Sequence, residues 1–308
     1  MALMFLSPDD PAELWRDELL ARLPDLDVRI WPQVGDPGEI ELALVWRPPP
    51  GELARYPNLK AILSLGAGVD GLLADPDLPE VPLARMVDPS LTRTMAEYAL
   101  LAVLRHHRQF DLFAREQAAG RWTFAFPQQA AERRVGIMGL GELGTAAAAA
   151  LVRHGFTVSG WSRTPKAIEG VTSYAGRSEL HNFLHRTDIL VCLLPLTAET
   201  RGILDASLFA DLAHGACVIN AARGEHLVEH DLLGALDSGH LGGATLDVFR
   251  EEPLPPGHPF WAHPKVLITP HVASYCWPAS AADGVADNIR RAWRGEPLAH
   301  QVDRTQGY

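Results

Sequence analysis

Residues 134–144 read RVGIMGLGELG, an apolar run followed at once by Gly139, Gly141 and Gly144 in the spacing G-x-G-x-x-G and then by helix-forming residues. Strand, glycine turn and helix in that order make an arrangement that binds a dinucleotide. The first glycine permits the tight turn, the second lets the backbone approach a pyrophosphate, and the third lets the helix lie close to the strand. The run AAAAA at 146–150 fits the same picture, because small residues on that helix allow close packing on a sheet.

Outward from this stretch the pattern repeats. From Arg134 on, the runs RVGIMG, FTVSGW, DILVCLLP, ACVIN, GATLDVF and VLITPH alternate with helical or loop segments. Such alternation signals βαβ units and a parallel sheet, and six strands is the count expected of a doubly wound dinucleotide fold. Upstream, IELALVWR (40–47) and LKAILSLGAGVD (59–70) are strand-like and belong to a smaller α/β domain. The expected fold class is therefore α/β, with two doubly wound parallel-sheet domains, the larger a Rossmann dinucleotide-binding domain. Its expected bounds are 96–276, with 1–95 and 277–308 forming the substrate domain. A long helix near Thr94 to Arg115, opened by a capping box of Thr94 and Glu97, would bridge the two. A helix over about Ala279 to Arg294 would return to the first.

Composition narrows the partners. The 308 residues are 47% hydrophobic and 21% charged, enough for a large core, and the net charge of -11 disfavours a nucleic acid. MALMFLSPDD lacks the basic start and small-residue cleavage site of a leader, and no stretch approaches a membrane span. Cys192, Cys217 and Cys276 have no metal-type spacing and read as structural thiols in a reducing cytoplasm.

The second strand raises a question of cofactor. About 20 residues beyond the glycine turn an acid would bind the ribose hydroxyls of NAD. VSGWSRTPK (158–166) places Ser162, Arg163, Thr164 and Lys166 there instead. An acid would repel a 2'-phosphate, whereas a guanidinium and hydroxyls bind one. NADPH is the expected cofactor, with NADH a weaker alternative.

Three polar residues close successive strands: Arg223 after ACVINAA, Glu252 after GATLDVFRE, and His271 ending VLITPH. The carboxyl ends of strands in an open parallel sheet face the ligand crevice, so residues far apart in sequence can converge there. An Arg, an acid and a His suit reduction of a 2-oxo acid. Arg223 would fork onto the carboxylate, His271 would protonate the carbonyl oxygen, and Glu252 would orient the imidazole.

GLGELG, LLPLTAET, NAARGEHLVEHDLLGALDSGHLGGATLDVFREEPLP and ITPHVA resemble the signature blocks of the D-2-hydroxyacid dehydrogenase family, in that family's order. Within it, ALVWRPP, LGAGVD, WSRTPK and QVDRTQGY are similar to the bacterial glyoxylate/hydroxypyruvate reductase A group. The resemblance implies that Arg223, Glu252 and His271 are the catalytic set. It further implies substrate contacts from Trp46, Arg47, the amides of Ala67 and Gly68, and Trp277. Cofactor contacts would come from Glu142 and Leu143 beside the glycines, from Leu194, Pro195 and Thr200, and from Asp247 against the nicotinamide. A homodimer and no membrane partner are implied. One departure is SYCWPAS (274–280), where Tyr275 and Trp277 stand in place of smaller or basic side chains and bear on pocket breadth.

Two further histidine patterns compete for attention. His226, Glu229 and His230 spell H-x-x-E-H, a zinc-binding pattern, within what reads as an ordinary amphipathic helix. His181 and His185 share i, i+4 spacing and read as a solvated helix face. No metal ligand set is assigned. The expected activity is reduction of glyoxylate to glycolate and hydroxypyruvate to D-glycerate. Its rivals are a dehydrogenase of another small 2-oxo acid and a dinucleotide-sensing binding protein.

Overall fold

The apolar run ahead of Pro8 is a strand, β1 (Ala2–Leu6), buried along its whole length. In the computed structural model, which describes residues 2–307, it lies between β2 (Asp27–Ile30) and β3 (Ile40–Val45). With β4 (Ala61–Ser64) and β5 (Leu83–Ala84) these form a sheet of order β2-β1-β3-β4-β5, parallel at every pairing. IELALVWR and LKAILSLGAGVD become β3 and β4. Helices α1 (Ala12–Arg22) and α2 (Asp70–Leu73) follow β1 and β4.

The chain clusters into two compact units, one made of the residues up to Leu91 with those from Cys276 onward, the other of Thr92–Tyr275. The connecting helix α3 (Pro89–His107) starts earlier and stops sooner than its periodicity predicts. Asp88, not Thr94, caps it: the amides of Ser90 and Leu91 donate to its carboxylate at 2.8 and 3.3 Å. An Asp followed by Pro at the first helical position is a start signal, since proline lacks only an amide that would be orphaned anyway. Thr94 sits inside the helix, where its hydroxyl accepts from Tyr275 N at 3.2 Å. Beyond His107 the backbone turns left-handed at Gln109 (φ 58°) before α4 (Phe110–Ala118) begins. Asp111 of α4 folds back to pair with Arg105 and with His106 Nδ1, the latter at 3.1 Å, while His106 Nε2 meets Thr245 Oγ1 at 2.9 Å. Two helices replace the single long one because these side chains secure the reversal.

The second unit carries seven strands: β6 (Arg134–Met138), β7 (Thr157–Ser162), β8 (Val171–Ala175), β9 (Ile189–Cys192), β10 (Ala216–Asn220), β11 (Leu241–Leu246) and β12 (Val266–Ile268). Their order is β12-β11-β10-β9-β6-β7-β8, all parallel, and the order in which successive strands are added reverses between β6 and β9. One strand more than the six expected is present. The addition, β8, is VTSYA at the sheet edge; half-exposed on both faces, it lacks the continuous apolar run that marks the buried strands.

Successive residues of the inner strands feed two different cores. Ile137, Val191 and Ile219 pack with Ala147, Ala148 and Leu151 of α5 (Glu142–Arg153) and with Ala99, Ala102 and Val103 of α3. Met138, Leu190 and Val218 pack on the opposite face with Phe183 of α6 (Gly176–Leu184), Phe209 of α7 (Ala206–Asp211) and Leu232 of α8 (Glu229–Asp237). Covering both faces is what makes the sheet doubly wound, each fully buried Leu or Phe contributing about 1.5 to 3 kcal/mol. After a short α9 (Pro259–Ala262) and β12, helix α10 (Pro278–Arg294) returns to the first unit, burying Ala281, Ala282, Val285 and Ile289. Among the described residues no helix is long and apolar enough to cross a membrane. All three cysteines are free, and burial pushes the thiols of Cys192 and Cys276 up to about 12, so both stay protonated.

Candidate active site

In the parallel sheet of the second unit, every strand points its carboxyl end to the same edge. Backbone hydrogen bonds run along that edge from strand to strand. Gly139 N donates to Trp161 O (2.8 Å), Leu193 N to Met138 O (2.8 Å), Ala221 N to Cys192 O (3.3 Å), Asp247 N to Asn220 O (3.0 Å) and Thr269 N to Leu246 O (3.0 Å). The loops that carry the candidate residues therefore leave from one stitched rim.

The glycine turn divides its labour by position. Gly139 is left-handed (φ 99°), and a Cβ there would meet Leu193 O at 2.6 Å. A Cβ on Gly144 would lie 1.8 Å from Gly139 O, so this residue lets α5 start hard against the turn. Around Gly141, by contrast, nothing lies within 4 Å of where a Cβ would project. That open space stands over the first turn of α5, with Glu142 and Leu143, where backbone N–H groups have no intrahelical partner. A pyrophosphate fits there: the approach is bare and the helix end is electropositive.

Ser162 ends β7 and is buried, its hydroxyl donating to Thr164 O at 2.8 Å to close the following turn. Arg163, Thr164 and Lys166 are exposed beyond it. After β9, Leu194 is buried, while the Thr200 hydroxyl donates to Pro195 O (2.7 Å) and accepts from Thr197 N (2.9 Å). Thr200 thus shapes the Leu194–Pro195 loop.

Three adjacent strands carry the polar trio. His271, beyond β12, is held left-handed (φ 56°), its amide donating to Asp247 O at 2.8 Å. Its Nδ1 meets Glu252 Oε2 at 2.8 Å, and Glu252 Oε1 accepts from Phe249 N at 2.9 Å. A carboxylate on Nδ1 fixes the tautomer, so that Nδ1 carries the proton toward Glu252 and Nε2 faces away from it. Arg223 stands beyond β10, beside the strand whose end carries Glu252.

In the first unit, the carboxyl ends of β3 and β4 bring the other candidates together. The Trp46 ring lies on Gly66, where a Cβ would meet it at 2.2 Å, so Trp46 adjoins the loop of Ala67 and Gly68. Arg47, left-handed at φ 46°, places its guanidinium 5.5 Å from the Trp46 ring centroid. Trp277 is exposed, its amide donating to Ser90 Oγ at 3.3 Å at the start of α10.

Residues 100–273 match the family described as D-isomer specific 2-hydroxyacid dehydrogenase, NAD binding domain. A glyoxylate/hydroxypyruvate reductase A of Serratia proteamaculans is 47% identical over 314 aligned positions, with both chains fully covered. The chain belongs to the D-2-hydroxyacid dehydrogenase family. Among solved structures, a D-isomer specific 2-hydroxyacid dehydrogenase from Xanthobacter autotrophicus in complex with NADPH and MES is 51% identical, with TM-score 0.96 over 100% of this chain and 99% of that one. An NADPH-dependent glyoxylate/hydroxypyruvate reductase from Sinorhizobium meliloti, in complex with NADP and sulfate, is 42% identical with TM-score 0.93 and full coverage of both chains.

In this dehydrogenase several residues brace the candidate loops through contacts that the sequence does not display. His226, fully buried, accepts from Arg223 N on Nδ1 (3.2 Å) and reaches Pro195 O with Nε2 (3.3 Å). It sits in a 3-10 turn over Gly224–His226, outside α8, so H-x-x-E-H does not lie on one helical face. Asn220 donates to Arg223 O at 2.9 Å, and a Cβ on Gly224 would meet the backbone of Phe249 at 1.9 Å. Asp247 is buried, and its carboxylate accepts from Thr269 Oγ1 (2.6 Å), Val272 N (2.9 Å) and Ala273 N (2.9 Å). Its visible work is to clamp the His271 loop. Tyr98 supports the clamp through Thr269 at 2.7 Å, and burial pushes its phenol up to about 12.

The glycine geometry gives a paired prediction. Gly144→Ala should unfold the unit or lower its Tm sharply, because the new Cβ overlaps backbone. Gly141→Ala should keep stability within about 1 kcal/mol, since the cap position is open, while weakening NADPH binding. Thermal melts and fluorescence titration check both; equal Tm losses would contradict the division of roles.

Proposed function

We propose that this dehydrogenase reduces glyoxylate to glycolate and hydroxypyruvate to D-glycerate with NADPH. The observation that carries the reading is the Glu252–His271 pair, 2.8 Å apart, on the rim that also bears the glycine turn and Arg223. The reduced nicotinamide, when bound, supplies hydride to the 2-oxo carbon. His271 Nε2 holds the proton that the carbonyl oxygen takes. Glu252, on Nδ1, holds the imidazole so that Nε2 faces that oxygen. Arg223 forks onto the substrate carboxylate and fixes the carbonyl against His271. On the same reading Ala67 and Gly68 offer amides to that carboxylate, and Trp46, Arg47 and Trp277 bound the substrate side. Asp247 positions His271 beside its contact to the nicotinamide. Glu142, Leu143, Leu194, Pro195 and Thr200 line the dinucleotide.

Rates with a panel of small and branched 2-oxo acids test the substrate class. Glyoxylate and hydroxypyruvate should lead. A higher kcat/KM for a larger acid would assign the enzyme to that acid, and NADPH binding without turnover of any acid would make it a sensor.

Cofactor choice rests on the end of β7. Replacing Ser162 by Asp together with Arg163→Ala should weaken the KM for NADPH about 10- to 150-fold, the equivalent of one charge-assisted hydrogen bond. NADH should hold or gain. Titrating both cofactors at fixed ionic strength checks this; an NADPH KM that does not move would put Arg163 outside the site.

A homodimer belongs to the same reading. Phe110 and Phe113 on α4 and Trp122, Phe124 and Phe126 beyond it are all exposed, with Phe113, Trp122 and Phe124 lining one cleft. A patch of that kind suits burial against a second copy. Trp122→Ser with Phe126→Ser should turn a dimer into a monomer by light scattering, and an unchanged mass would place the interface elsewhere. The free, protonated thiols suit a reducing cytoplasm.

A further inference from the structure

We propose that His181, His185 and Asp211 form a surface site for a divalent transition-metal ion of the Zn²⁺ type, joining α6 to α7. His181 lies on α6, and His185 extends the helix by one residue in helical conformation (φ -59°, ψ -18°), its amide donating to His181 O at 3.1 Å. The i, i+4 spacing therefore sets both imidazoles on one face, with ring centroids 4.1 Å apart and planes perpendicular. Asp211, the last residue of α7, brings the third group from a different element: its carboxylate meets His181 Nδ1 at 3.0 Å. One donor atom from each of the three lies within 4.8 Å of the others.

Two imidazole nitrogens and a carboxylate oxygen are a ligand set for Zn²⁺, Co²⁺, Ni²⁺ or Cu²⁺, whose bonds of about 2.0 to 2.2 Å place donors roughly 3 to 3.5 Å apart in tetrahedral geometry. His181 and His185 are exposed and Asp211 is half-buried, so rotation of the imidazoles can close the remaining gap. The ion would stand between His181 Nδ1 and the Asp211 carboxylate, now 3.0 Å apart, leaving a fourth position to water. Because imidazole must be neutral to bind a metal, affinity should fall as pH drops.

Topology separates this site from the chemistry. Helices α6 and α7 each run back from the carboxyl rim, and their far ends lead toward the starts of β9 and β10. His185 and Asp211 sit at those far ends, on the sheet edge opposite the glycine turn and His271. Both helices pack on the same core through Phe183, Leu184, Leu208 and Phe209, so an ion between them tethers two neighbours that already share a hydrophobic face. The role that follows is reinforcement of the nucleotide-binding unit, with no part in hydride transfer.

Isothermal titration of the tag-free protein with Zn²⁺ tests the proposal, repeated on His181→Ala, His185→Gln and Asp211→Asn. Wild type should show a saturable site, weakened at least about tenfold by each substitution, and Zn²⁺ should raise the Tm of wild type only. NADPH oxidation without added metal should match wild type in all the variants, which also shows that they fold. The proposal is overturned if wild type has no saturable Zn²⁺ site, or if the affinities of all the variants stay within about twofold of it.

Discussion

His271→Asn is expected to keep NADPH binding and to lower the rate of glyoxylate reduction by about 10² to 10⁴-fold, the contribution of a positioned general acid. The choice of Asn is dictated by the backbone. At φ 56° position 271 lies in the left-handed region, which Asn tolerates far better than most residues, so the loop and its bonds to Asp247 survive. What disappears is an ionisable nitrogen aimed away from Glu252. Glu252→Gln should be milder, because an amide can still hold Nδ1 of His271 while the charge that fixes the ring's orientation is lost. Stopped-flow reduction with NADPH binding followed separately by fluorescence checks both. Near-normal turnover in His271→Asn would remove the acid role from this residue.

Arg223→Ala should cost at least about tenfold in kcat/KM for glyoxylate and up to about 150-fold, from loss of a charged hydrogen bond worth roughly 1.5 to 3 kcal/mol. Both kcat and KM should change if, as proposed, one guanidinium binds the carboxylate and orients the carbonyl. The loop is held by its backbone: His226 receives the Arg223 amide and Asn220 donates to its carbonyl, so truncating the side chain leaves the turn in place. Arg223→Lys should recover part of the binding and little of the orientation, because an ammonium cannot form the planar fork. Steady-state kinetics of the two variants separate these effects. Wild-type parameters in Arg223→Ala would exclude the residue from the site.

The parts of this protein that were legible in the sequence are those where physics leaves one solution. A glycine at each of 139 and 144 is demanded by contacts of 2.6 and 1.8 Å, and β6, β9 and β10, buried over nearly their whole length, announce themselves as apolar runs. The trio at the strand ends follows from the shared direction of a parallel sheet. Less legible were features defined by partners distant in sequence. Strand β8 is identified by pairing with β7, not by its half-exposed residues. The reversal at Gln109 depends on Asp111 finding His106 and Arg105, which a helical periodicity through the same residues conceals. His226 was visible only as half of a zinc pattern. Its actual neighbours, Arg223 and Pro195, are polar groups of the backbone, and a sequence does not display those. The start of α3 at Asp88-Pro89-Ser90 is a local signal in the sequence, and Thr94 with Glu97 repeats a capping-box spacing inside the helix.

Hydride transfer from NADPH to a small 2-oxo acid is followed by the decay of NADPH absorbance when glyoxylate is added to the wild-type enzyme, with NADH run in parallel. NADPH should be oxidised steadily with kcat/KM at least about tenfold above that for NADH, the margin expected if Arg163 at the end of β7 meets the 2'-phosphate. No oxidation above the enzyme-free rate with either cofactor, or a clear preference for NADH, would contradict it.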